Sequence, residues 1–144
     1  MKISFAFGRL ALGMIFLVSG LDKALHYNST LQLMTAQGIP AAALLLPVAT
    51  VVELLGSTLL IFGYQIKAVS LLLSAYLIPV TWAFHRFWMF SGDARQLQLI
   101  NLLKNFSIFG GLVLTHAYQR VLDSFTAGTL TTIRRDSYER RKAA

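Results

Sequence analysis

Cysteine is absent from this chain of 144 residues. That excludes disulfides, thiolate nucleophiles, Fe–S clusters and haem attached through Cys-x-x-Cys-His. Any redox role must therefore use a bound cofactor or a partner protein. Charge is scarce too. Only 13% of residues are Asp, Glu, Lys or Arg, where a soluble domain carries about 25%. Acidic residues number 6 against 13 Lys and Arg, giving a net charge of +7. No repeat or low-complexity stretch is present, and the length allows one domain.

What remains is apolar. Hydrophobic residues make up 56% of the chain, and the mean hydropathy is +0.61. The basic charge is not spread out. Arg120, Arg134, Arg135, Arg140, Arg141 and Lys142 all follow the last apolar run. A basic flank of this kind marks the cytoplasmic side of a membrane and meets anionic lipid headgroups. Its placement argues against nucleic acid as a partner and for the lipid bilayer.

A bilayer core of about 30 Å needs about 20 apolar residues in a helix. Four segments qualify: Phe5 to Leu25, Ala41 to Tyr64, Ile66 to Trp88 and Gln96 to Tyr118. The expected fold is all-α, an integral membrane four-helix bundle over residues 1–123, with a polar basic cytoplasmic tail over 124–144. Lys2 and Val18-Ser19-Gly20 sketch a cleaved signal peptide. Arg9 interrupts its apolar region and the segment is long, so it reads as a retained helix. A tight hairpin with Gly63 near its corner joins spans two and three. Thr30 to Gln37 fits a short interfacial helix stopped by Gly38 and Pro40. The tail reads as peripheral or frayed, with a short surface helix over Asp136 to Lys142. The basic tail and four crossings place both termini in the cytoplasm of a bacterial inner (plasma) membrane protein. Tyr64 and Tyr118 then belong to the inner aromatic belt, and Tyr27 and Trp88 to the outer one.

Several polar side chains fall within these spans. A charge at bilayer depth costs roughly 2.5–3.5 kcal/mol on insertion scales, so it is expected to face the bundle interior and find a partner. Glu53 lies mid-span on a face with Ala49, Thr50, Gly56 and Ser57, small residues that let another helix approach. Lys104, flanked by Asn101 and Asn105, is the cation expected opposite it by depth. Arg9, Gly13, Gly20 and Lys23 form one stripe. His85 shares another with Ser74, Ile78, Thr81 and Trp88. Each carries a plainer reading as well. Lys23 and Arg9 can snorkel, His85 can be interfacial, Asn101 can be interhelical glue, and a Glu53–Lys104 pair can simply fix register. No metal site is expected from three histidines at different depths. No phosphate loop, zinc helix or nucleophile elbow is present, so the sequence assigns no catalytic residue.

In order and spacing these residues resemble the DoxX family of small four-helix membrane proteins. The resemblance rests on Arg9-Leu10-Ala11-Leu12-Gly13, Phe16, Gly20 and Lys23, then Gly38-Ile39-Pro40, Glu53-Leu54-Leu55-Gly56 and Gly63. His85-Arg86-Phe87-Trp88 and Lys104-Asn105 continue it. Arg120-Val121-Leu122-Asp123 lacks the glycines and serine of the family's closing segment. The resemblance implies a membrane component linked to redox complexes, in quinone-coupled thiosulfate oxidation or in thiol and oxidative-stress systems, with a redox protein as partner.

Three functions follow as expectations. The first is a membrane subunit supporting redox chemistry, with a quinone headgroup or another small polar ligand between the helices. Glu53 would accept a proton, Lys104 and Lys23 would stabilise negative ring oxygen, and His85 would exchange protons with the outer side. The second is a scaffold or assembly factor docking a soluble partner on the basic tail. The third is transport of a small solute or proton, for which a homo-oligomer would supply the helices that four spans lack.

Overall fold

The computed structural model describes residues 2–142. Its helices are α1 (Lys2–Leu25), α2 (Tyr27–Ala36), α3 (Ala42–Phe62), α4 (Ile66–Phe84) and α5 (Gly92–Lys142), with a 3-10 turn at Phe87–Met89 between the last two. Four helical stretches are long and apolar enough to cross a membrane: Ile3–Leu25, Ala42–Phe62, Ile66–Met89 and Gly92–Thr132. The fold is thus the expected all-α membrane bundle. The expected interfacial helix is present as α2, starting three residues earlier than Thr30.

The helix ends follow from local chemistry. Gly63 stops α3 at φ 78°, a left-handed conformation that costs glycine little. The Gly63 N–H donates to the Leu60 carbonyl and the Tyr64 N–H to the Leu59 carbonyl. Those two bonds satisfy carbonyls that the helix end would otherwise leave bare in lipid. Gln65, also left-handed at φ 49°, completes the reversal into α4.

Lipid offers apolar surfaces no reason to associate, so the helices meet where small residues let backbones close in. Helix α1 lies antiparallel to α3 along Gly13 and Gly20. A Cβ added at Gly13 would sit 2.5 Å from the Ile61 side chain, and one at Gly20 would sit 2.9 Å from Leu54. Helix α4 packs on α5. The two pairs join toward the α3–α4 corner, where Gly56 faces Leu73 and Gly111 faces Leu12. The Phe5 and Tyr118 rings touch there at 4.5 Å. Phe16, Leu60, Val69, Leu73 and Leu112 form the packed core of that half. At the other end, Met34 of α2 joins Ala42 and Leu46 of α3 in a small cluster, with Phe84 of α4 against it.

Two features depart from the expected layout. Helix α5 runs 51 residues without a break, roughly 76 Å at 1.5 Å per residue. The tail is therefore a helical extension of the fourth span, with no break between 123 and 124. Helix α1 is also offset along α3. Gly20 already lies level with Glu53 and Leu54, so Leu25, about 7 Å further on, ends well short of the α3 start at Ala42.

Candidate functional site

The offset of α1 creates the site. It lowers Lys23 to the depth of Glu53, which lies eleven residues into α3, roughly 16 Å from its first residue. Glu53 is 3% exposed. Lys23 Nζ donates to both of its carboxylate oxygens, at 2.9 Å to Oε2 and 3.1 Å to Oε1. The Tyr76 hydroxyl of α4 donates to Oε1 at 2.6 Å, and Lys23 also donates to Ser19 Oγ, one turn back on α1, at 2.6 Å. Three helices thus converge on one carboxylate. A buried carboxylate is tolerated only when its lone pairs are met in this way.

This cluster is the polar floor of a cavity of about 540 Å³. Phe16 and Leu77 lie beside it, and the packed core of Leu60, Leu73 and Leu112 continues toward the α3–α4 corner. Thr30, Leu33 and Met34 of α2 roof the cavity, and His85 and Asn105 stand on its wall. Lys23 lines the cavity and retains 19% side-chain exposure, while its three N–H groups are taken by Glu53 and Ser19. A second depression, of about 440 Å³ between α4 and α5, has walls of Trp82, Trp88, Phe106 and Phe109 and contains no ionisable group.

The expected site residues divide accordingly. Glu53, Lys23, His85 and Asn105 line the one cavity. His85 Nδ1 lies 3.0 Å from Gln98 Oε1, and Asn105 Nδ2 donates to Thr81 Oγ1 at 3.0 Å. Lys104 is not the partner of Glu53. It is exposed on α5 and makes no hydrogen bond or ion pair among the described residues. Asn101 is half-buried and lines neither cavity. The α4 stripe is also rotated from expectation. Ile78 is 59% exposed and Trp88 48%, while Ser70 and Ser74 are buried, their hydroxyls bonded to carbonyls one turn back. Sequence reasoning missed Ser19 and Tyr76. The signal for Tyr76 was its depth: tyrosine favours the interface, so one in mid-span requires a buried partner for its hydroxyl.

At the end that carries the α3–α4 corner a separate set of contacts locks the bundle. The Arg9 guanidinium lies against Gly63 at the end of α3, where an added Cβ would collide with it, and 5.4 Å from the Phe5 ring centroid. The α3 C-terminal carbonyls favour a cation there. Lys67 pairs with Asp123 at 2.6 Å, and His116 Nδ1 lies 3.0 Å from the Lys67 carbonyl. These contacts tie the α3–α4 corner to α5.

The DoxX family profile matches residues 4–86, which covers α1 to α4 and includes Lys23, Glu53 and Tyr76. The chain belongs to the DoxX family. A relative is the inner membrane protein YphA of Escherichia coli (strain K12), 30% identical over 106 residues, spanning 74% of this chain and 76% of that protein. No solved structure matches. The profile match ends before α5, so in this DoxX protein Asn101, Lys104, Asn105 and the helical extension lie outside it.

Proposed function

We propose that this DoxX protein is an inner-membrane subunit that holds the ring of a quinone-type redox carrier in the outer-half cavity, with both termini cytoplasmic. The observation that supports the reading is the Lys23–Glu53–Tyr76 cluster at the floor of that cavity. Bundle cores with a few convergent polar groups in an apolar wall suit such ligands. Lys23, on releasing its bond to Ser19 Oγ, is the donor to a ring oxygen that gains negative charge. Glu53 and Tyr76 form the proton-handling pair behind it, and His85 on the wall exchanges protons with the outer side. Electrons come from a redox partner protein, because the chain has no thiol of its own. The packed apolar layer below the cavity favours this over transport, which needs a path to the other side.

The test is binding of a short-chain ubiquinone analogue to the purified protein in nanodiscs. Lys23→Met and Glu53→Gln are expected to lower affinity at least tenfold while the protein stays folded. Unchanged affinity in both variants would reject the quinone reading.

A scaffold role has its own support in the length of α5. Some 24 residues follow Tyr118 as helix (roughly 36 Å at 1.5 Å per residue), enough to stand clear of the headgroups with Arg134, Arg141 and Lys142 on it. Truncation after Asp123, followed by co-purification of soluble partners, checks this docking role. An undiminished complex would exclude it.

A further inference from the structure

The cavity's relation to the bilayer narrows what can occupy it. Leu45 and Val48 of α3 and Pro79 of α4 line the cavity and are apolar residues left accessible: Leu45 is 42% exposed and Val48 53%, and Pro79 is exposed as well. Together they give the cavity an exposed apolar edge at the gap where α3 faces α4. Toward water the cavity is largely roofed, with the exposed carboxylate of Asp22 at its edge. Helix α2 covers it, Phe84 closes on the Met34–Leu46 cluster, and Arg86 Nη2 donates to the Gln37 carbonyl at 3.2 Å across the top.

Two of the chain's 3 prolines lie in these helices, Pro47 inside α3 and Pro79 inside α4. Each removes one rung of its helix. The carbonyl left free by Pro47 is that of Ala43, and the Tyr27 hydroxyl of α2 donates to it at 3.5 Å. The close approach of the two helices, Gly56 against Leu73, lies on the other side of Glu53 and Tyr76 from both prolines.

We infer that the cavity is reached sideways from the bilayer between α3 and α4, and that its ligand carries a hydrocarbon chain that lies across Leu45, Val48 and Pro79. The inference rests on the quinone-type reading and extends it to a chain-bearing lipid in preference to a water-soluble ring. The chain is already in an apolar medium before it binds, so its contribution is packing in the gap and not transfer from water.

The experiment compares two probes in nanodiscs, with affinities expressed per mole of lipid: a benzoquinone ring with two isoprene units, and the same ring without them. The variants are Leu45→Trp and Val48→Trp, which fill the gap. Leu55→Trp is the control, on the lipid face of α3 at 60% exposure and away from the cavity. The gap variants are expected to weaken the chain-bearing probe about tenfold, equivalent to 1.4 kcal/mol, and to leave the bare ring within twofold. The control should change neither. Equal loss of both probes, or loss of neither, overturns the placement of the chain while the ring reading stands. Failure of both probes to bind the native protein removes the ring reading, and this inference with it.

Discussion

Replacing Lys23 with Met keeps the length and the apolar stem of the side chain and removes only its ammonium. Glu53, 3% exposed, then loses two of its hydrogen bonds and its one counter-charge. Breaking a buried pair from one side costs about 3–5 kcal/mol, because the remaining charge is stranded. Lys23 is itself 19% exposed, and Tyr76 continues to donate, so the lower end, about 3 kcal/mol, is expected. The double variant Lys23→Met with Glu53→Leu removes both charges. It should recover most of that loss, with a coupling energy of about 2–3 kcal/mol. Lys104→Met is the decisive comparison. Among the described residues that lysine has no partner to strand, so the change should cost less than about 0.5 kcal/mol, or stabilise by removing an exposed charge at bilayer depth. Reversible unfolding in mixed micelles, followed by tryptophan fluorescence, of these three variants and of Glu53→Leu alone gives each cost and the coupling. The reasoning fails if Lys104→Met costs as much as Lys23→Met, or if the two changes in the double variant simply add.

Other expectations follow from single contacts. Tyr76→Phe removes only the hydroxyl bonded to Glu53 and should cost about 1.5–3 kcal/mol, as hydrogen bonds to charged groups do; the same unfolding assay reads it. Gly20→Val places atoms within 3 Å of Leu54 and must push α1 off α3, an overpacking cost of about 1–3 kcal/mol that should also abolish ring binding at the displaced Lys23. Gly63→Ala meets both a left-handed backbone at φ 78° and the Arg9 guanidinium, and should cost at least about 1–2 kcal/mol. Adding Arg9→Ala to it should recover the part due to collision, and a double-mutant cycle separates the two. Asp123→Asn breaks the ion pair to Lys67 at an exposed site, where solvent screening should leave global stability nearly unchanged. Its readout is faster amide exchange at the α3–α4 corner.

The number, type and approximate limits of the spanning helices were legible because the bilayer sets a length and hydropathy carries it. The stops at Gly63 and Gly38 were legible because glycine at a helix end has a specific backbone use. The end of the fourth helix was not. From Ser124 the sequence turns polar, which signals departure from lipid but not from helix, and no proline interrupts the chain there.

Glu53 could be found from sequence because a carboxylate in mid-span must face inward. Its partner could not. Depth counted from the ends of each span assumes that all helices begin at one plane, and on that assumption Lys104 lies closer to Glu53 than Lys23 does. The register between α1 and α3 is instead set by where glycines let two backbones touch, at Gly13 and Gly20, and the α2 segment supplies the slack that lets α1 end early. Arg9 and Lys23 are fourteen residues apart, four helical turns at 3.6 per turn, so they share the face that carries both glycines. The same offset that brings Lys23 to Glu53 brings Arg9 to the end of α3. A shift of α1 by one turn away from the α3–α4 corner would move both cations off their partners at once. The offset is thus over-determined by two glycine contacts and two charge contacts, which is why the cavity floor can hold a charged cluster open to a ligand without losing its register.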